Sequence, residues 1–169
     1  MASTWYNDDG LRVPFGQDQA RETEGIMART WSVGPISYMV VDVNFDNLPT
    51  YTADLNNDGT NEAFDDSVPY IPVGSYITRA ILVTETAWAD GTSLTLGLYN
   101  QAGSVIDADG IDVAIAAAAL AADTAVDCNG LLVGTQDLVT ADAYLVCTVA
   151  GTFTAGKSKL VIEYIPVTV

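Results

Sequence analysis

Apolar residues recur at every second position and are cut at short intervals by Asp-Gly and Asn-Gly pairs, and this pattern constrains the chain more than any other feature. Over Thr92 to Tyr99, Leu94, Leu96 and Leu98 fall on one side and Ser93, Thr95 and Gly97 on the other. That is the period at which side chains of an extended strand point to opposite faces. Ile36 to Phe45 sets Met39, Val41, Val43 and Phe45 against Asp42 and Asn44, and Lys159 to Ile165 sets Leu160, Ile162 and Tyr164 against Lys159 and Glu163. Each predicts a strand with one wet face. Tyr76 to Thr86 and Ala143 to Val149 are apolar with β-branched residues and read as further strands. Asp9-Gly10, Asp58-Gly59, Asp90-Gly91, Asp109-Gly110 and Asn129-Gly130 supply turns, because these residue types accept left-handed backbone angles at little steric cost.

One stretch departs from the pattern. Asp112 to Ala122 is mostly alanine, which favours helix over strand. It predicts a short helix capped by Asp112 and docked through Val113, Ile115 and Leu120. Seven or eight short strands and one small helix describe an all-β fold, an antiparallel β-sandwich of jelly-roll type. The sandwich body is expected over residues 31–169. Residues 1–30 show no sustained period and read as an extended N-terminal arm.

With 169 residues the chain suits one domain, and 49% apolar content argues against disorder. Six Lys and Arg stand against 22 Asp and Glu, a formal charge of −16. Such a chain lacks the cations that displace counterions from phosphate, so no nucleic-acid partner is expected. There is no histidine, which removes Ser-His and Cys-His nucleophile pairs and imidazole metal sites. The opening residues are acidic where an export signal is basic and then apolar. The longest apolar run, Val113 to Ala122, has ten residues, well short of the ~20 of a membrane-spanning helix. No membrane partner is expected, and Cys128 and Cys147 are expected as free thiols.

Charge is unevenly spread. Residues 1–30 carry Arg12, Arg21 and Arg29 against five acids, a net of −2, and residues 31–169 carry three cations against seventeen acids, a net of −14. Leu11, Val13 and Phe15 beside these arginines suit an arm that lies on another protein. A terminus with no role is the alternative, and the residues alone do not choose between them.

The sharpest motif is Asp54, Asn56, Asp58, Thr60 and Glu62, with Gly59 at the sixth position and Asp65 at the twelfth. The spacing matches a calcium loop, although the twelfth residue is Asp instead of Glu and the flanks look extended rather than helical. The alternative is a metal-free loop in which Asp and Asn side chains bond their own backbone. No cofactor is otherwise required. Asp107, Asp109 and Asp112 read as a turn followed by a helix cap, with too few ligands for an ion. A carboxylate pair for glycoside hydrolysis would need a pocket with two acids at the right separation. Trp5, Trp31 and Trp88 lie in separate segments and read as core or contact residues more readily than as a sugar platform.

Several segments carry a resemblance. Tyr51-Thr52-Ala53-Asp54-Leu55-Asn56-Asn57-Asp58-Gly59-Thr60-Asn61-Glu62, Tyr70-Ile71-Pro72-Val73-Gly74, Gly91-Thr92-Ser93-Leu94 and Gly97-Leu98-Tyr99 are similar to stretches of small structural proteins of tailed phages, especially T7-like marine cyanophages. Ile106-Asp107-Ala108-Asp109-Gly110-Ile111-Asp112, Gly151-Thr152-Phe153-Thr154-Ala155-Gly156-Lys157 and Val161-Ile162-Glu163-Tyr164-Ile165-Pro166 continue it. The opening Asp9-Gly10-Leu11-Arg12-Val13 with Phe15-Gly16 belongs to the same likeness. The resemblance implies a capsid decoration or cement protein, assembled in the host cytoplasm and bound to the major capsid protein on the outer surface of the virion. It implies a dimer or trimer on the capsid and brings no catalytic residue. Under it, Leu11, Arg12, Val13, Phe15, Arg21 and Arg29 are the expected capsid contacts. A carbohydrate- or receptor-binding module of a head or tail fibre is the second reading, and a carboxylate glycosidase a third.

Overall fold

The computed structural model describes residues 3–6, 12–15, 28–33, 36–49 and 69–166, the first three segments by their backbone. Its strands are β1 (Ser3–Tyr6), β2 (Arg12–Phe15), β3 (Ala28–Val33), β4 (Ile36–Asn44), β5 (Tyr76–Ala89), β6 (Ser93–Tyr99), β7 (Val105–Ala116), β8 (Thr124–Asp127), β9 (Tyr144–Ala150) and β10 (Ala155–Ile165). They form a five-stranded sheet in the order β3-β4-β10-β5-β8 and a three-stranded sheet in the order β7-β6-β9, all antiparallel. Among the described residues, β1 and β2 pair only with each other. The chain is an antiparallel β-sandwich.

The alternation read from the sequence builds the core. Met39, Val41 and Val43 of β4, Ile77, Ala80 and Leu82 of β5, and Leu160, Ile162 and Tyr164 of β10 are all buried. They belong to one apolar cluster with Leu94, Leu96 and Leu98 of β6, each 0% exposed, and with Leu145 and Cys147 of β9. Each fully buried leucine contributes about 1.5–3 kcal/mol. One polar knot is enclosed as well: Trp88 Nε1–H donates to Ser158 Oγ (2.7 Å), which also shares a hydrogen bond with Thr84 Oγ1 (3.1 Å). Phe153 closes the other side of Trp88 edge-on, at 4.9 Å between ring centroids.

Two expectations need correction. The helix over Asp112 to Ala122 is absent: β7 runs through to Ala116, and only Ala117–Ala119 turns, as a three-residue 3-10 helix. Pairing with β6 overrides the local preference of alanine, since Leu94 opposes Ile115 and Ser93 opposes Ala116. Ile115 and Leu120 are buried as expected, but Val113 is exposed. Asp112 is no helix cap: its Oδ1 accepts the N–H of Val113 within the strand. Phe45, placed on the core face by the alternation, lies beyond the end of β4 in a turn and is exposed.

The chain between β4 and β5 departs from and returns to one edge. Pro49 O accepts the N–H of Cys147 (2.6 Å), and Ile71 exchanges both backbone bonds with Ala143 (2.8 Å each). Both anchors therefore lie on β9 or at its start.

Candidate functional site

β7 is the least regular strand of the sandwich. Leu96 opposes Asp112 while Leu98 opposes Asp107, so two steps along β6 match five along β7. The excess residues form a bulge. Gly97 makes room for the bulge, since a Cβ there would stand 2.4 Å from the Ala108 carbonyl oxygen. Gly130 backs the bulge from the other side, with its own would-be Cβ 2.4 Å from the Asp109 carbonyl oxygen. The loop after β8 is tied on by Gly130 N–H to Ile111 O (2.8 Å) and Leu132 N–H to Gly110 O (3.0 Å). Asp109-Gly110, expected as a turn, thus lies inside a strand.

Burial shifts two carboxyls of this strand. Burial pushes the Asp107 carboxyl above its ordinary range, and the Asp109 N–H, which donates to Asp107 Oδ1 (3.2 Å), works against that rise. Burial also raises Asp112, which is 6% exposed, while the Val113 N–H holds it back. Burial first, then the charge of Asp112, pushes the Cys128 thiol up to about 12. Burial raises Cys147 as well. Both cysteines are free, buried and protonated, so neither is an activated nucleophile. Among the described residues no three His, Cys, Asp or Glu side chains gather as a metal site, and no helix is long and apolar enough to cross a membrane.

At the end of the sandwich where β4 and β5 begin, two loops are laced together. Gly74 N–H donates to Val139 O, Val139 N–H to Ser75 O, Val73 N–H to Asp142 Oδ1 and Gly134 N–H to Ile77 O, at 2.8 to 3.0 Å. Residues 69–75 and 128–143 carry Tyr70, Val73, Leu131 and Leu138 to the surface, at 36%, 53%, 66% and 46% exposure. Tyr70 leans on Tyr144 with ring centroids 5.5 Å apart. An open hollow of about 460 Å³ lies beside them, lined by Asn100, Gln101, Ala102, Ala141 and Asp142. One carboxylate among those linings is too few for a glycosidase pair.

The outer face of β5 and β10 is a ladder of charges. Lys159 Nζ lies 3.1 Å from Glu85 Oε1 and 3.7 Å from Asp42, Lys157 bonds the other Glu85 oxygen at 3.2 Å, and Arg79 meets Asp127 at 2.7 Å. The two lysines hold the Glu85 carboxyl below its usual range. All three cations of residues 31–169 are committed here.

The expected site residues fare unequally. Asp54, Asn56, Asp58, Thr60, Glu62 and Asp65 lie outside the described residues, as do Leu11 and Arg21. Arg12, Val13 and Phe15 stand in β2 opposite Tyr6, Trp5 and Ser3, and Arg29 stands in β3 opposite Val40. Trp88 is buried, as large aromatics of a core are. Sequence reasoning missed Tyr70, Val73, Leu131 and Leu138; the only trace is the presence of aliphatic residues within turn-rich, aperiodic stretches.

No family model and no curated protein matches the chain. Among solved structures it is similar to a chain of the capsid of Ralstonia phage GP4, at 14% identity and a TM-score of 0.53, covering 85% of this chain and 92% of that one. The two share a fold. A chain of the cyanophage Pam1 capsid asymmetric unit aligns at 20% identity and a TM-score of 0.46, over 82% of this chain and 94% of that one.

Proposed function

We propose that the chain is a non-enzymatic structural protein of a tailed-phage virion, a decoration or cement protein that binds the major capsid protein on the outer face of the shell and stabilises it. The observation that carries this reading is the fold shared with a chain of the capsid of Ralstonia phage GP4 over most of both lengths. The segments that resemble phage virion proteins agree with it. So does the strand order: β4-β10-β5-β8 faces β9-β6-β7 with the Leu48-Pro49 segment bonded to the free edge of β9. The jelly-roll reading takes Leu48-Pro49 as part of the strand beside β9 and β3 as an addition at an edge.

A clamp on a filled shell works by burying area across subunit boundaries, of order 1,200–2,000 Å² for a stable contact. No reaction is needed. The acidic body keeps free copies soluble and repels packaged DNA. The N-terminal segment with Leu11, Arg12, Val13, Phe15, Arg21 and Arg29 supplies the contact with a neighbouring protein of the shell.

The test is to locate the chain on purified particles of the phage that carries it, by mass spectrometry and cryo-microscopy. The reading expects many symmetric copies on the outside of the head, and heads that rupture at lower temperature when the protein is missing. Absence from mature heads, or presence only in tail fibres, overturns it.

A further inference from the structure

In the five-stranded sheet Met39, Val41, Ala80, Leu82, Leu160 and Ile162 point into the core, so the residues between them point outward. Across three adjacent strands these outward positions line up in an apolar row, because Val161 opposes Val40 on one side and Ile81 on the other. All three are half-buried, and Val83, the next outward residue of β5, is 40% exposed. Charges flank the row on both sides. Along β10, Lys159 stands two residues before Val161 and Glu163 two residues after it. On antiparallel β5, Arg79 lies opposite Glu163, and Glu85 reaches Lys159. The side chains of Arg79, Lys157, Lys159 and Glu85 remain 40 to 59% exposed in spite of their bonds within the sheet. An apolar centre ringed by accessible charges has the composition of a contact surface.

We infer that this outer face of the five-stranded sheet is the interface of a two-fold dimer, in which a second copy of the chain stacks sheet on sheet with Val161 at the centre. The order of the charges selects a second copy as the occupant. A half-turn about an axis along the row Val40, Val161 and Ile81 sets each of these residues on its own counterpart. The same rotation brings Glu163 onto Lys159 of the second copy and Arg79 toward its Glu85, so opposite charges meet on both sides of the row. An isologous contact demands such self-complementarity. The rest of the body offers nothing similar: its three cations, Arg79, Lys157 and Lys159, all lie on this face, while residues 31–169 carry a net of −14. Approach through any other face of the body brings only acids and neutral groups together. The area suffices as well. Five strands about 4.8 Å apart and eight steps of about 3.4 Å along β10 span roughly 24 Å by 27 Å, so two such faces bury of order 1,300 Å², within the range of a stable contact. Aligned sheets pack about 10 Å apart with their side chains interleaved, within reach of lysine and arginine. Pairing of free copies needs no particle, so it and the capsid role can fail separately.

Two full-length charge reversals test the interface. Glu163→Lys sets a lysine against Lys159 of the second copy, and Lys159→Glu sets a glutamate against its Glu163. Sedimentation equilibrium over a concentration series should give wild type at twice 17.8 kDa. Either variant should associate at least roughly tenfold more weakly, with an unchanged circular dichroism spectrum. Mixed in equal amounts, the two variants should pair as tightly as wild type, because every contact then joins the lysines of one to the glutamates of the other. Val161→Lys, at an outward position on the axis, should also give a monomer, and it serves if Lys159→Glu fails to fold for want of its bonds to Glu85 and Asp42. A wild type that stays monomeric or forms a trimer, a variant that dimerises like wild type, or a mixture no tighter than its components overturns the inference. With a monomeric wild type, loss of particle binding by Val161→Lys would assign the face to the shell instead.

Discussion

Replacing Gly97 by alanine probes the bulge that organises one side of the sandwich. The added Cβ would stand 2.4 Å from the carbonyl oxygen of Ala108 and 2.7 Å from its carbonyl carbon. Ordinary carbon-to-oxygen approach is about 3.3 Å, so one of two paired strands must move by roughly 0.9 Å. The obstacle is backbone and cannot swing aside. Overpacking of this kind costs ~1–3 kcal/mol, while losing a glycine from the unfolded chain returns ~0.4–1 kcal/mol. A net loss of about 1–2 kcal/mol follows, and at ~2–4 °C per kcal/mol for a chain of this size Tm should fall by roughly 2–8 °C. Thermal and urea melts read the stability. Hydrogen exchange reads the site of damage, which should be the Gly130 and Leu132 amides bonded to Ile111 and Gly110 of the bulge. An unchanged or raised Tm, with both amides as protected as in wild type, would refute the argument.

Other changes test other parts of the chain. Leu96→Asp should unfold the body, since it removes ~1.5–3 kcal/mol of burial and places an unpaired charge in the core, and a soluble folded variant would contradict the assigned strand face. Ser158→Ala leaves the Trp88 N–H without its acceptor and should cost ~1–3 kcal/mol, with a change in tryptophan fluorescence; loss of less than a few tenths would show that water replaces it. Because burial raises Asp112 in the folded state, the native form binds more protons there, so this group makes stability fall as pH rises from about 4 through its folded value. Asp112→Asn should flatten that part of the pH profile in urea melts, and an unaltered slope counts against it. Calcium at a hundredfold over its dissociation constant should raise stability by about 2.7 kcal/mol if Asp54 to Asp65 holds the ion, and a Tm indifferent to both calcium and chelator removes that reading.

The core was legible because a strand face declares itself in its own neighbours. Leu94, Leu96 and Leu98, or Leu160, Ile162 and Tyr164, need only a count of two to be placed, and all are buried. What the sequence concealed depends on residues far away along the chain. The alanines after Asp112 follow a helical preference when read locally, yet Ile115 and Ala116 are held extended by Leu94 and Ser93 of another strand. Phe45 continues the alternation past the point where Phe45 N–H turns to bond Gly156 O. Gly97 and Gly130 look like ordinary strand and turn glycines until the bulge between them is seen. The exposed apolar residues of the loops escaped notice for a related reason: Tyr70, Val73, Leu131 and Leu138 share no period.

The two anchors on β9, Pro49 at Cys147 and Ile71 at Ala143, stand four residues apart along one strand edge, a gap of about 13 Å. Both ends of the join are held on that edge, and doubling the length of a flexible connection costs only about 0.6 kcal/mol of closure entropy. A foreign peptide spliced between residues 50 and 70 should therefore be carried as cargo, with Tm nearly independent of its length, and would make the position a natural choice for displaying epitopes or enzymes on an assembled particle.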